Sequence, residues 1–224
     1  MSSAVSRRSR PGRPRHIPEA DGHLTPREQV LDAAAYLFTN GGFAATSTRD
    51  IAERVGIRQA SLYYHFANKD EILEELLRKT VRPTLDQLDR IDDLASEHGW
   101  AAALYVLVMV DAKTLADAPH NVGRLAYLPD VCVLDLFKPY KKALTALAAN
   151  YERIGRKVAG LGGDINGIRL MNGTEVIIKH RIDDDKVSLK ERHAIAAAAL
   201  RHCGATQSEI DLAAAVSWAE LLDD

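Results

Sequence analysis

The polar side chains of residues 58–69 form a set that is suited to binding DNA. The stretch reads "RQASLYYHFANK", and Leu62 and Phe66, four residues apart, predict the buried face of a short helix. The outer faces of this helix then carry Arg58, Gln59, Ser61, Tyr64 and His65. A helix fits the major groove, where arginine pairs with guanine and glutamine with adenine. Hydroxyl groups and the ammonium of Lys69 suit phosphate oxygens.

A second short helix must lie just before this one. Ser47 and Asp50 have the spacing of a capping box, and Ile51 and Val55 share one face. Gly56 ends this helix and permits a positive φ. Two helices of about two turns joined by a tight turn predict a helix-turn-helix. The amide end of the first helix, at Ser47 and Thr48, can also receive a phosphate.

The remaining elements are also helical. "TPRE" at 25–28 predicts a capped helix start, "NGG" at 40–42 ends that helix, and Asn68 caps the helix that follows the pair. Pro83 should kink or end this last helix. Further helices are predicted at 84–95, 98–117, 120–127, 131–158, 164–181, 188–203 and 206–222. No strand pattern or internal repeat is visible, so the predicted fold class is all-α.

Charge is distributed unevenly along the chain, although its net value is only −2. Residues 1–24 hold five arginines against two acids, whereas residues 71–224 hold 19 basic and 24 acidic groups. We expect residues 1–23 to be a disordered basic arm that favours an anionic partner. In "RPGRPR", the residues Arg10, Arg13 and Arg15 suit insertion into a minor groove. The alternative is an ordinary disordered tail.

Several function classes lack their sequence signals. The two cysteines are far apart, and His193 and His202 are nine residues apart, so neither pair has metal-ligand spacing. "GLGGD" at 160–164 lacks a phosphate-loop lysine, "DDDK" at 183–186 lacks calcium-loop spacing, and no nucleophile elbow is present. The longest apolar run, residues 100–110, is shorter than the roughly 20 residues of a membrane span. We therefore expect a cytoplasmic protein that is not an enzyme and uses no cofactor or metal.

Residues 25–75 resemble the DNA-binding domain of the tetracycline-repressor (TetR) family of bacterial transcription regulators. The resemblance rests on "GGFAATS", "TRDIAERVGI", "LYYHF" and "NK" in this order and at this spacing. It implies base contacts by Arg49, Arg58, Gln59 and His65. It implies phosphate contacts by Ser47, Thr48, Tyr63, Tyr64 and Lys69.

The family resemblance also implies the organisation of the rest of the chain. A helix-turn-helix domain at 24–80 would precede a helical effector-binding and dimerisation domain at 81–224. Two late helices from each subunit would form the dimer interface, and we expect 164–181 and 206–222, with 188–203 as the alternative.

The helix predicted at 98–117 is apolar on nearly all sides and should be central. Its Tyr105 and Met109 are candidates for lining a pocket for an apolar or amphipathic effector. Neighbouring segments offer polar groups in Tyr127, Cys132, Asp135 and Tyr140. For each of these residues the alternative is an ordinary core or surface position.

Two functions remain as hypotheses. The first is a homodimeric, ligand-responsive regulator, a repressor that a small molecule releases from a palindromic DNA operator. The second is a helical protein-interaction module with only non-specific DNA binding.

The arm generates a prediction of its own. Deleting residues 1–20 should weaken DNA binding and flatten its dependence on salt, because fewer counterions are released when fewer arginines meet phosphates. The measurement is a titration of both proteins with a DNA duplex at several salt concentrations. An unchanged slope of affinity against salt would show that the arm does not contact DNA.

Overall fold

A computed structural model describes residues 24–161, 163–181 and 186–221, with side chains as far as residue 217. Throughout these ranges the chain is helical, and no strand occurs in them. The prediction of an all-α fold that begins with a helix-turn-helix domain is confirmed.

Four helices form an N-terminal head: α1 (Pro26–Gly41), α2 (Thr48–Val55), α3 (Gln59–His65) and α4 (Lys69–Arg78). The larger body contains α5 (Arg82–Leu85), α6 (Leu88–His98), α7 (Trp100–Asp117), α8 (Pro129–Cys132), α9 (Phe137–Ala159), α10 (Gly167–His180), α11 (Leu189–His202) and α12 (Gln207–Leu221). A 3-10 segment, Pro119–Tyr127, joins α7 to α8.

The predicted helix starts and stops of the head are present. Thr25 and Glu28 form a capping box at α1, and Ser47 and Asp50 form another at α2. Gly56 ends α2 in the left-handed conformation (φ 75°), which glycine adopts without a steric penalty. These local signals fix both ends of α2, so they set the angle at which α3 follows.

Buried apolar side chains hold the head together. Phe38, Ile51, Leu62 and Phe66 are all almost fully buried in one cluster. The guanidinium of Arg27 lies over the Phe66 ring and forms a bidentate ion pair with the buried carboxylate of Glu75 on α4. α1 and α4 are thereby joined behind the helix-turn-helix.

The body is built around α7. This helix is buried along most of its length and packs against α6, α9, α10, α11 and α12. Its central position is the one predicted from its all-round apolar character. Leu77 is the last residue of α4 in the head's apolar cluster, and Val81 is the first residue along the chain in the body's cluster.

Two predicted helix boundaries were wrong. The helix expected at 131–158 is two helices, α8 and α9, and the one expected at 84–95 begins at Leu88. Proline explains the first error. Pro139 has no amide hydrogen, which is tolerated in the first turn of α9 but not in the interior of a longer helix. Helix α4 ends at Arg78, and Pro83 lies in the first turn of the separate short helix α5.

A polar network lies in the centre of the body. Tyr151 on α9 donates its hydroxyl hydrogen to Asp111 on α7 (2.8 Å), and its oxygen lies 3.0 Å from the hydroxyl of Thr174 on α10. Thr84 on α5 donates to the other carboxyl oxygen of Asp111 (3.3 Å). The network thus joins four helices through one carboxyl group. Burial raises the pKa of Asp111 to about 7.

The raised pKa of Asp111 predicts how stability depends on pH. An unfolded aspartic acid ionises near pH 3.9, whereas folded Asp111 stays protonated until about pH 7. The free energy of unfolding should therefore fall as the pH rises between these values. Asp111→Asn removes this effect. Relative to the wild type, the variant should gain about 3 kcal/mol of stability between about pH 5 and about pH 8.

Urea unfolding across this pH range measures the effect, with Asp117→Asn as the control. Asp117 is also on α7, but its side chain is exposed. If Asp111→Asn and Asp117→Asn followed the same pH profile, Asp111 would not be protonated in the folded chain.

Candidate nucleic-acid interface

Helix α3 packs its apolar side chains into the head and exposes its polar side chains to solvent. Leu62 and Phe66 are buried, whereas Arg58, Gln59 and Tyr64 are exposed, with 87% of Tyr64 accessible. Arg58 occupies the N-cap position in an extended conformation, so its side chain precedes the first turn of α3. The arrangement leaves the side chains at the start of this helix accessible to a groove of DNA.

A hydrogen-bonded cluster links α2 to α3 on the same exposed surface. Gln59 Nε2 donates to Thr48 Oγ1 (2.9 Å), and the Tyr63 hydroxyl lies 3.1 Å from the same oxygen. The side chain of Tyr63 is about half exposed, and its hydroxyl reaches Thr48. The cluster holds Gln59 in one orientation. Binding an adenine through both amide atoms would require Gln59 to exchange or share its contact with Thr48.

The other predicted contact residues lie around this cluster. Arg49 is exposed on the first turn of α2, and the half-buried His65 packs edge-on against Tyr64, with ring centroids 5.2 Å apart. The Ser47 hydroxyl caps α2 by accepting a hydrogen bond from the Asp50 amide. It also donates a hydrogen bond to Asp50 Oδ2 (2.7 Å). The hydrogen bonds from Ser47 hold the pKa of Asp50 below its usual range, so a negative carboxylate stands beside this helix end.

Lys69 occupies a different environment from the other predicted phosphate contacts. Its ammonium donates to the carbonyl oxygens of Phe43 (2.7 Å) and Thr46 (2.9 Å) and lies 4.2 Å from the centre of the Phe43 ring. These contacts tie the start of α4 to the loop between α1 and α2. Two of the three ammonium hydrogens are therefore used inside the protein, which leaves one for a phosphate.

Residues 118–132, here called the docking segment, belong to the body's part of the sequence and pack against the head. Val122, Leu125 and Val131 belong to the apolar cluster of the head, although they are distant from it in sequence. His120 Nε2 lies 2.9 Å from Asp32 Oδ1 on α1, and Asp130 Oδ2 accepts a hydrogen bond from the Ala44 amide (3.3 Å). The segment therefore contacts both α1 and the loop that leads to α2.

The backbone of the docking segment turns sharply at its start. His120 (φ 50°) and Asn121 (φ 49°) both adopt the left-handed conformation, which is uncommon outside glycine. Asn121 Nδ2 donates to the carbonyl oxygens of Ile178 (2.8 Å) and Arg181 (2.9 Å) at the end of α10. Arg181 in turn donates to the carbonyl oxygens of Leu115 and Ala118. These hydrogen bonds stabilise a turn that would otherwise be unfavourable by about 1–3 kcal/mol per strained residue.

The body contains a cavity of about 650 Å³ beside this turn. Its apolar wall consists of Pro83, Ile91, Leu94, Val106, Met109, Val110, Ala118, Pro119 and Leu189. Its polar lining consists of Lys79, Gln87, Arg90, Lys113, Thr114, Asp117, Arg192, His193 and Ser217. The volume lies within the range of ligand pockets, about 300–1,000 Å³.

Of the predicted pocket residues, only Met109 lines this cavity. Tyr105 lies behind the wall, where its hydroxyl is 2.8 Å from Nδ1 of the lining residue His193. The others lie away from the cavity lining: Tyr127 and Cys132 in the docking segment, Asp135 in an exposed ion pair with Lys138, and Tyr140 near Thr80. The cavity is lined instead by residues of α6, α11 and α12 together with α7, and the effector-binding role of the predicted residues stays a prediction.

No signal in the sequence indicated the docking segment or most of the cavity wall. Both depend on contacts between residues that are distant along the chain, such as Asp32 with His120, 88 positions apart. Helical periodicity carries no information on these pairs. Arg10, Arg13 and Arg15 of the predicted arm lie outside the described residues.

The described ranges hold no group of three or more metal-ligating side chains with suitable geometry. None of their helices is long and apolar enough to cross a membrane.

Comparison with known proteins points to one family. Residues 30–76 match the family model described as "Bacterial regulatory proteins, tetR family". The crystal structure of Mycobacterium smegmatis AmtR is 38% identical, with a TM-score of 0.79, and the match covers 92% of this chain and 98% of that one.

Two curated relatives are similar over shorter stretches. The HTH-type transcriptional repressor KstR2 of Mycobacterium tuberculosis is 36% identical over 121 residues, which are 46% of this chain and 58% of KstR2. The HTH-type transcriptional regulator TtgR of Pseudomonas putida is 32% identical over 148 residues, 58% of this chain and 67% of TtgR. The chain thus spans about half the length of the KstR2 proteins that it matches.

The contacts of Lys69 generate a prediction about stability. Lys69→Met keeps the apolar stem but leaves the carbonyl oxygens of Phe43 and Thr46 without their donor. The free energy of unfolding should fall by about 1–3 kcal/mol. Urea unfolding measures the change, and Lys190→Met is the control because Lys190 is exposed on α11. Unaltered stability together with weaker DNA binding would mean that Lys69 serves DNA alone.

Proposed function

The chain belongs to the tetR family of bacterial regulatory proteins, and on that premise we propose that it is a ligand-responsive transcriptional repressor. It binds a double-stranded DNA operator through its head and leaves that operator when a small molecule enters the body. The observation that carries the proposal concerns the exposed helix α3, hereafter the reading helix, and the cavity of about 650 Å³. One docking segment contacts both the head that holds α3 and the cavity. The names of the similar proteins KstR2 and TtgR, a transcriptional repressor and a transcriptional regulator, support it.

We propose that α3 lies in the major groove. The proposed base contacts of the head are Arg49 on α2 and Arg58, Gln59 and His65 at α3. The proposed phosphate contacts are Ser47, Thr48, Tyr63, Tyr64 and Lys69. The exposure of Arg58, Gln59 and Tyr64 on one surface supports this placement. We also propose that Arg10, Arg13 and Arg15 bind the adjacent minor groove, and that the arginines of residues 1–23 add affinity that depends on salt.

The functional unit that we propose is a homodimer on a palindromic operator. One short reading helix offers a small interface, whereas two such helices on a rigid dimer match half-sites about 34–36 Å apart. Helices α10 and α12 are the proposed interface, with α11 as the alternative. In support, Ile168 on α10 is 57% exposed and Leu212 on α12 is 65% exposed, although both are apolar.

The proposed coupling runs through the docking segment. Ala118 and Pro119 line the cavity, and the next residue, His120, contacts Asp32 of the head. A ligand that displaces this part of the wall therefore acts on α1 through one residue. The expected coupling is about 1–3 kcal/mol in operator affinity. No catalysis is needed for this function, which we place in the cytoplasm.

Selection of operators from sheared genomic DNA tests the proposal. The full chain should enrich one palindromic sequence. Binding that is sensitive to salt but shows no sequence preference would instead support a helical protein-interaction module with only non-specific DNA binding.

The two residues at the start of α3 generate a sharper prediction. Arg58→Ala and Gln59→Ala should each weaken binding to the selected operator by about 1–3 kcal/mol and relax the preference at one base pair. Tyr64→Phe should weaken binding to all sequences by a similar factor, because a phosphate contact carries no sequence information.

Titration of each variant with the operator and with a scrambled duplex measures these effects. Arg82→Ala is the control, since Arg82 is an exposed arginine outside the head that pairs with Asp86. If Tyr64→Phe altered base preference while Arg58→Ala and Gln59→Ala did not, the proposed placement of α3 would be wrong.

A further inference from the structure

We infer that the cavity of the body binds an amphipathic anion, a molecule with an apolar chain or ring system and one acidic group. This inference deepens the proposed function, because it names the ligand class of the same cavity. It rests on the composition of the cavity lining and on two buried polar atoms within it.

The apolar part of the lining selects an apolar ligand body. Ile91 and Leu94 on α6 face Val106 and Met109 on α7, and all four side chains are nearly inaccessible to solvent. An apolar ligand body that packs against these side chains is favoured because its own apolar surface leaves water. A small, fully polar ligand could not use this surface.

The charged part of the lining selects an anion. Lys79, Lys113 and Arg192 carry positive charge, and Asp117 is the one acidic group among the described residues of the lining. Lys113 Nζ lies 3.5 Å from Asp117 Oδ2, so the charges of these two side chains largely cancel. The excess of cations is opposite to the composition of residues 71–224, which hold 19 basic and 24 acidic groups. A positive lining inside an acidic body attracts acidic ligands.

Two buried polar atoms indicate where the acidic group binds. Ser217 on α12 is fully buried, and its Oγ has no hydrogen-bond partner among the described residues. The Nε atom of Arg192 on α11 is likewise buried and without a partner there. Buried polar groups are normally satisfied, so we place the acidic group of the ligand beside these two side chains, which can donate to its oxygens.

Other ligand classes fit the lining less well. A neutral apolar ligand would leave Ser217 Oγ and Arg192 Nε without partners, which is unfavourable for buried polar atoms. A cation would meet more positive than negative side chains among the described lining residues.

Three probes with the same chain length test this inference on the full protein: decanoate, decan-1-ol and decyltrimethylammonium. Isothermal titration calorimetry should show that decanoate binds at least about tenfold more tightly than decan-1-ol, a difference of about 1.4 kcal/mol. The cation should bind most weakly. Equal or tighter binding of decan-1-ol or of the cation overturns the inference, and so does the failure of all three probes to bind.

Variants locate the acidic group. Arg192→Gln should weaken decanoate binding at least about fivefold while decan-1-ol binding stays unchanged, because only the anion loses a charge-assisted hydrogen bond. Lys113→Gln on α7 is the second variant and should act in the same direction. Lys190→Gln, an exposed neighbour on α11 that does not line the cavity, is the matched control. An unchanged preference for decanoate in both lining variants would contradict the inference.

The same probes separate this inference from the proposed function. Ligand binding is measured without DNA, so its result decides the ligand class alone. Decanoate that binds as expected but leaves operator affinity unaltered would support the ligand class and contradict ligand-responsive repression.

Discussion

The packing of the docking segment against α1 is the contact on which the rest of the structure depends. Head and body have separate apolar clusters, but Val122, Leu125 and Val131 of the body's sequence complete the cluster of the head. His120 and Asp32 join the two parts at 2.9 Å, and Asn121 and Arg181 fix the turn that presents His120. The orientation of α3 is therefore set partly by residues that border the cavity. Such an arrangement suits a protein whose DNA affinity responds to the contents of its body.

The body gives this contact a firm support. The carboxyl group of Asp111 joins α5, α7, α9 and α10 in one buried polar network. Close approach adds to this rigidity, since a Cβ atom on Gly167 of α10 would lie 1.9 Å from the Ala148 carbonyl oxygen of α9. With α9 and α10 held together, the end of α10 is a fixed partner for Asn121 of the docking segment.

Local signals in the sequence were sufficient to predict the head and insufficient to predict the cavity. The capping residues Thr25 and Ser47, the turn at Gly56 and the apolar pair Leu62 and Phe66 act within a few residues, so the sequence determines their effect directly. The cavity is lined by residues of α6, α7, α11 and α12, and Met109 is the one residue of the set predicted around Tyr105 that lies in this lining. The role of Lys69 within the head was missed for the same reason, because its carbonyl partners Phe43 and Thr46 lie 26 and 23 positions away.

The central claim is that the cavity and the reading helix are coupled through His120. The most direct test is the dissociation constant for the selected operator, measured with and without saturating decanoate in the wild type and in His120→Ala. Decanoate should weaken operator binding of the wild type by a factor of about 5–150, and that of His120→Ala by a clearly smaller factor. Operator affinity that decanoate leaves unaltered in the wild type, or lowers by the same factor in both proteins, would contradict the central claim.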